Sequence, residues 1–162
     1  MTVLIAYGSK RGGTAGLADM IGAELVARGI QVEVRPAAEI QSADGYRSVI
    51  VAGALYNSRW HRDARRFTRR HRVALRQVPV WLVASGPLDN SANAGALPPV
   101  SQVARIAADL GALGAVTFGG RLTPDAKGLI ASAMAKTKAG DWRDPSQVRA
   151  FATAVAEQQA SV

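Results

Sequence analysis

The sequence predicts an α/β domain with a parallel sheet covered by helices on both faces. Apolar, strand-length runs recur at Val3–Tyr7, Gln31–Arg35, Ser48–Gly53, Pro79–Ala84 and Ala115–Phe118. Helix-length segments separate most of them: Thr14–Arg28, His61–Arg76 and Val100–Leu113, with a last helix from about Pro145 to Gln159. Strands that alternate with helices imply βαβ units and parallel pairing. The run Val49-Ile50-Val51-Ala52 is apolar throughout, as a strand buried on both faces requires.

Each element has a local reason. The first strand hands over to the first helix through Gly8-Ser9-Lys10-Arg11-Gly12-Gly13-Thr14. Backbone N–H groups at a helix start lack partners, and the helix dipole favours an anion there. Gly8, Gly12 and Gly13 permit a tight turn and close backbone approach, while Ser9 and Thr14 add hydroxyls. The stretch suits a phosphate, although it is neither G-x-x-x-x-G-K-[ST] nor G-x-G-x-x-G. It also suits an ordinary strand-to-helix connection, since Gly, Ser and Thr favour turns and caps. Pro145 followed by Ser146-Gln147-Val148 reads as a first-turn proline.

The helix His61–Arg76 is amphipathic. Ala64, Phe67, His71 and Ala74 recur on one face, and Arg62, Arg65, Arg66, Arg69, Arg72 and Arg76 lie on the other. Between Arg59 and Arg76 eight arginines stand against Asp63 alone, a local charge of +7 in a chain whose total is +8. Such a face is either simply solvated or attracts anions: lipid headgroups, carboxylated substrates, or, less readily, nucleic acid.

At 162 residues, 48% hydrophobic and 20% charged, the chain suits one folded domain. It has no internal repeat or linker. With no cysteine it has no disulfide, thiol chemistry or thiolate-ligated cluster, so any redox work falls to a bound cofactor. Two histidines without matching carboxylates make no metal site. No apolar run approaches the ~20 residues needed to span a bilayer, and no signal-peptide pattern opens the chain. The cytoplasm is the expected location, with contact at a membrane surface open through the basic face.

In doubly wound sheets, ligands bind at the carboxyl ends of strands near the switch point. That rule selects three loops: Gly8–Thr14, Ala54-Leu55-Tyr56-Asn57-Ser58-Arg59-Trp60 and Ser85-Gly86-Pro87-Leu88-Asp89. Phosphate donors in one loop and aromatics in the next suit a flat ring with a phosphate tail.

Tyr7–Thr14 resembles the S-x-x-G-x-T phosphate loop of flavodoxins. Gly53–Trp60 and Val80–Leu88 resemble the flavin-flanking loops of flavodoxin-domain proteins related to menaquinone-dependent protoporphyrinogen oxidase (protoporphyrinogen IX dehydrogenase). Gly119-Gly120-Arg121-Leu122 and Gly140-Asp141-Trp142-Arg143-Asp144 continue the likeness. The resemblance implies a flavodoxin-like five-stranded parallel sheet of order 2-1-3-4-5 within a single domain over residues 1–162, and non-covalently held FMN.

By position, the resemblance implies that Ser9, Lys10, Arg11, Gly12, Gly13 and Thr14 bind the phosphate. Ala54, Leu55, Tyr56 and Asn57 line one side of the isoalloxazine, and Ser85, Gly86, Pro87 and Leu88 the other. Gly119, Gly120 and Arg121 close the rim. No catalytic side chain is assigned, because the flavin carries the chemistry. The activity implied is an FMN-dependent oxidoreductase passing electrons from a reduced substrate to a quinone. The alternative is a flavodoxin-type carrier that docks to a redox partner protein.

Two features set the chain apart from plain flavodoxins: its basicity, and an extra segment at about 123–139. That segment reads as a helix capped by Thr123, begun by Pro124, with Ala126, Leu129, Ile130, Ala133 and Met134 on one apolar face. It suits packing on the core, a homodimer contact, or a membrane or quinone role.

Overall fold

The computed structural model describes residues 2–8, 13–56, 59–86, 99–118, 121–122, 140–141 and 145–160. The chain runs β1 (Thr2–Gly8), α1 (Gly13–Ala27), β2 (Gln31–Pro36), a 3₁₀ turn (Ala37–Glu39), β3 (Ser48–Tyr56), β4 (Arg59–Trp60), α2 (Arg62–Arg70) and α3 (Arg72–Leu75). It continues through β5 (Val80–Ser85), α4 (Ser101–Leu110), β6 (Gly114–Phe118), β7 (Arg121–Leu122), β8 (Gly140–Asp141) and α5 (Pro145–Ala160).

The main sheet has the order β2-β1-β3-β5-β6, all neighbours parallel, with β4 folded back antiparallel on β3. Counted by its five long strands, this is the 2-1-3-4-5 order expected. Side-chain alternation sorts the strands between two cores. Val3, Ile5, Ile50, Ala52, Val83 and Phe118 pack on one face with Leu17, Ile21 and Leu25 of α1 and Phe151 and Val155 of α5. Leu4, Ala6, Val49, Val51 and Leu82 pack on the other with Phe67, Leu75, Val103 and Leu110. Each buried Val, Leu, Ile or Phe among them contributes about 1.5–3 kcal/mol, and the alanines less.

The structure changes several expected boundaries. β3 continues three residues past Gly53, because Ala54 pairs with Ser85, Leu55 with Trp60 and Tyr56 with Arg59. α4 stops at Leu110 rather than Leu113. Gly111 turns left-handed (φ 65°), with Gly111 N–H donating to Ala108 and Ala112 N–H to Ala107, a double bond pattern that closes a helix end. The expected helix over 61–76 is divided at His71 (φ −106°, ψ 23°) into α2 and α3. β7 pairs antiparallel with β8, placing Leu122 opposite Gly140. The segment 123–139 that they bracket, and Trp142, lie outside the described residues.

His71 packs in the second core as expected, its ring centroid 4.7 Å from that of Phe67. Burial first, and then the Arg70 charge, lower its pKa, against an opposing hydrogen bond to the Ile40 backbone. The unfolded chain therefore takes up this proton more readily than the native one. Stability present above about pH 6.5 is lost as the pH falls below the ordinary histidine range. Urea midpoints at pH 7 and pH 5 should show the drop, and His71→Gln should shrink it. An undiminished drop would assign it to other groups.

Candidate cofactor-binding site

The parallel register aligns the carboxyl ends of the central strands. Gly8 of β1 sits beside Gly53 of β3, Gly53 beside Ala84 of β5, Ala54 beside Ser85, and Ser85 beside Phe118 of β6. The three loops selected from the sequence therefore leave one edge of the sheet. Thr14 is buried in the first turn of α1, the 15-residue helix that follows β1. Ser85 is buried, Ala54 and Leu55 are half-buried, and Tyr56 is 42% exposed.

Gly86 lies against Leu55. A Cβ at Gly86 would stand 2.8 Å from the Leu55 Cβ, and the Gly86 N–H donates to the Phe118 carbonyl at 3.1 Å. The loops after β3 and β5 are thus pressed together at their roots. Gly86→Ala should cost about 1–3 kcal/mol, as overpacking does, read as a lowered thermal midpoint. An unchanged midpoint would show that the contact gives way.

Two glycines at this edge make room for neighbouring side chains. At Gly8 the missing Cβ makes room for α2, since it would meet His61 Nδ1 at 2.8 Å and the Ala64 backbone nitrogen at 3.0 Å. At Gly53 it would run into Trp60 Nε1 and would meet Ala64 Cβ at 2.8 Å. Trp60 itself is 1% exposed and its Nε1 donates to the Val83 carbonyl at 3.2 Å. Of the two aromatics in this loop, Trp60 belongs to the core and Tyr56 stands at the edge.

His61 starts α2. Its Nδ1 accepts the Asp63 N–H at 3.1 Å, and its own N–H donates to the Ala54 carbonyl at 2.8 Å. It sits beside Tyr56, ring centroids 6.5 Å apart, and braces β1 against β3. Gln102 on α4 plays a similar part that sequence reasoning missed, its Oε1 accepting the Trp60 N–H at 2.7 Å. Only its first-turn position on a helix behind this edge hinted at that role.

Of the predicted site residues, Gly13, Thr14, Ala54, Leu55, Tyr56, Ser85 and Gly86 come to this edge. Arg121 lies in β7, with Asp141 as its strand partner. Ser9, Lys10, Arg11, Gly12, Asn57, Pro87, Leu88, Gly119 and Gly120 lie outside the described residues. Among the described residues no cluster of His, Asp or Glu could hold a metal, and no helix is long and apolar enough to cross a membrane.

The residues present fit FMN. A helix N-terminus with a buried threonine hydroxyl is the donor set a phosphate needs. A half-apolar edge of Ala54, Leu55 and an exposed tyrosine ring suits a flat aromatic ring. Gly86 brings backbone close to the same space.

The model of the flavodoxin domain matches residues 4–160. No curated protein matches the chain. Among solved structures, it is similar to a short-chain flavodoxin associated with a non-canonical PDU bacterial microcompartment. That pair has 12% identity and a TM-score of 0.65, and 98% of each chain is covered. Oxidised flavodoxin 2 from Bacillus cereus is 19% identical with a TM-score of 0.61, covering 98% of this chain and 99% of that one. The Streptococcus pneumoniae TIGR4 flavodoxin is 17% identical with a TM-score of 0.60, again covering 98% and 99%. With the family model matching nearly end to end, the chain belongs to the flavodoxin-domain family, whose cofactor is FMN and whose work is electron transfer.

Proposed function

We propose that residues 1–162 form one FMN-dependent oxidoreductase domain that works at the carboxyl edge of the sheet. The carrying observation is that Thr14 at a helix start, the Ala54–Tyr56 strand end and the Ser85–Gly86 strand end converge on that edge. In this reading Ser9 through Thr14 hold the phosphate, Ala54 through Asn57 and Ser85 through Leu88 flank the ring, and Gly119, Gly120 and Arg121 close the rim. Bound there, FMN supplies the redox chemistry. The protein's part is to bury one side of the ring, present backbone groups to it and set the charge at its rim.

The rim favours an anionic donor. Arg59 is exposed at the mouth, opposite Tyr56, and Arg62 is exposed at the first position of α2. On this basis the lead reading resembles protoporphyrinogen IX dehydrogenase: a reduced tetrapyrrole carrying carboxylates gives up electrons and protons, and a quinone takes them. The segment 123–139, as a helical insertion, lies between rim strands β7 and β8 in sequence and would shape the substrate side, a membrane contact or a homodimer contact. The cytoplasm, at or near a quinone-bearing membrane, is the matching location.

A second reading, a carrier that docks to a redox protein, is favoured by the open placing of Tyr56 and Arg59. The visible spectrum of the purified protein, before and after adding FMN, tests what both share. A colourless protein that takes up no FMN overturns both. Protoporphyrinogen oxidation coupled to a menaquinone analogue then separates them. Turnover supports the first, whereas an FMN-loaded protein inert to every tetrapyrrole and quinone leaves the second.

A further inference from the structure

We propose that the groove between α2–α3 and α4 is a docking groove for an acidic segment of a protein partner. Arg65, Arg69 and Arg72 line one wall and Arg105 the other, over a floor that includes Ile106 and Leu110, enclosing about 500 Å³. Asp109 is its one acidic lining residue, and it is already engaged: Arg72 Nε and Nη2 donate to its two carboxylate oxygens at 2.7 and 2.8 Å. That bidentate pair links α3 to α4 across one end of the groove. Arg69 and Arg105 are exposed, and neither pairs with an acid among the described residues.

A second hollow of about 500 Å³ shares Gln102 and Arg105 with the first and extends to Arg59. Since Arg59 pairs with Tyr56 at the sheet edge, one cationic track leads from α3 to the mouth of the candidate cofactor site. A partner held along the track would be registered against that mouth.

The lining selects the occupant. Nucleic acid wants stacking rings, and no aromatic residue lines either hollow. Asp109 interrupts what would otherwise be a continuous run of phosphate contacts. A concave groove with an apolar floor suits carboxylate side chains alternating with aliphatic stems better than a flat lipid surface. Arg105 was invisible as part of this feature in the sequence, because it comes from a helix remote from the arginine-rich one.

The inference rests on the electron-transfer reading only for the identity of the partner. The groove can be tested with fluorescein-labelled hexaglutamate, followed by anisotropy at low salt on the FMN-free and FMN-loaded full chain. The double variant Arg69→Gln/Arg105→Gln should bind about five- to tenfold more weakly, from the usual worth of exposed pairs. Arg149→Gln, which removes one charge from α5 across the sheet, should change binding far less than half as much as the double variant, which removes two. Unaltered binding in the double variant, or an equal loss with Arg149→Gln, would overturn the proposal. So would tighter binding of anionic vesicles or single-stranded RNA through the same two arginines. Failure to load FMN would sink the redox reading and leave the peptide result standing.

Discussion

Trp60→Ala is expected to destabilise the protein by about 3–5 kcal/mol, the cost of emptying a buried aromatic site. Trp60 is 1% exposed, its Nε1 donates to the Val83 carbonyl, and its ring fills the space above Gly53 between β3, β5 and α2. Truncation leaves a cavity and strips the Val83 carbonyl of its side-chain donor. Trp60→Phe keeps most of the volume and should cost less. The pairing with Gly53 allows a sharper test. Gly53→Ala alone should destabilise, because its Cβ would run into Trp60 Nε1. Combined with Trp60→Ala, that clash disappears and the two costs should sum to less than their separate values. Chemical denaturation of the four proteins measures the coupling, and strict additivity would show that Trp60 moves aside at no cost.

Thr14→Val should weaken FMN binding about ten- to a hundredfold, the loss of one hydrogen bond to a charged group. Thr14 is buried in the first turn of α1, so the nearly isosteric valine should keep the packing. Stability of the FMN-free protein should move by no more than about 1 kcal/mol. Titration of the variant with FMN, beside its unfolding curve without FMN, separates the two effects. Unchanged affinity would move the phosphate away from this helix start.

The strands and helices were legible because their burial is regular. Val3, Ile5 and Leu4, Ala6 alternate between two cores, and Val49 through Ala52 is apolar throughout because both faces of β3 are covered. β4 escaped notice for a physical reason: two residues carry no periodicity, and its pairing depends on the chain reversing after Tyr56. The same reversal buries Trp60, which the sequence placed in the same ligand-side loop as Tyr56. Gly8 was read as part of the phosphate turn, yet the space of its missing Cβ is taken by His61 and Ala64. A glycine announces that something comes close without saying what. The site was legible as three strand ends on one sheet edge, because topology alone determines that. Gln102 and Arg105 were not, since their roles arise only when α4 packs beside β4 and α2.

The division of the helices between two faces of the sheet has an electrical consequence. α2, α3 and α4 carry seven arginines against Asp63 and Asp109, a net of +5. α1 and α5 on the opposite face carry Arg149 against Asp19, Glu24 and Glu157, a net of −2. The described helices therefore give the molecule a permanent dipole moment running through the sheet, from one helical layer to the other. In dilute electrolyte an approaching negative body would turn the protein before touching it, so encounters would begin with the arginine layer foremost. Above a few tenths molar salt, where screening shrinks to about the width of a side chain, the molecule would tumble indifferently.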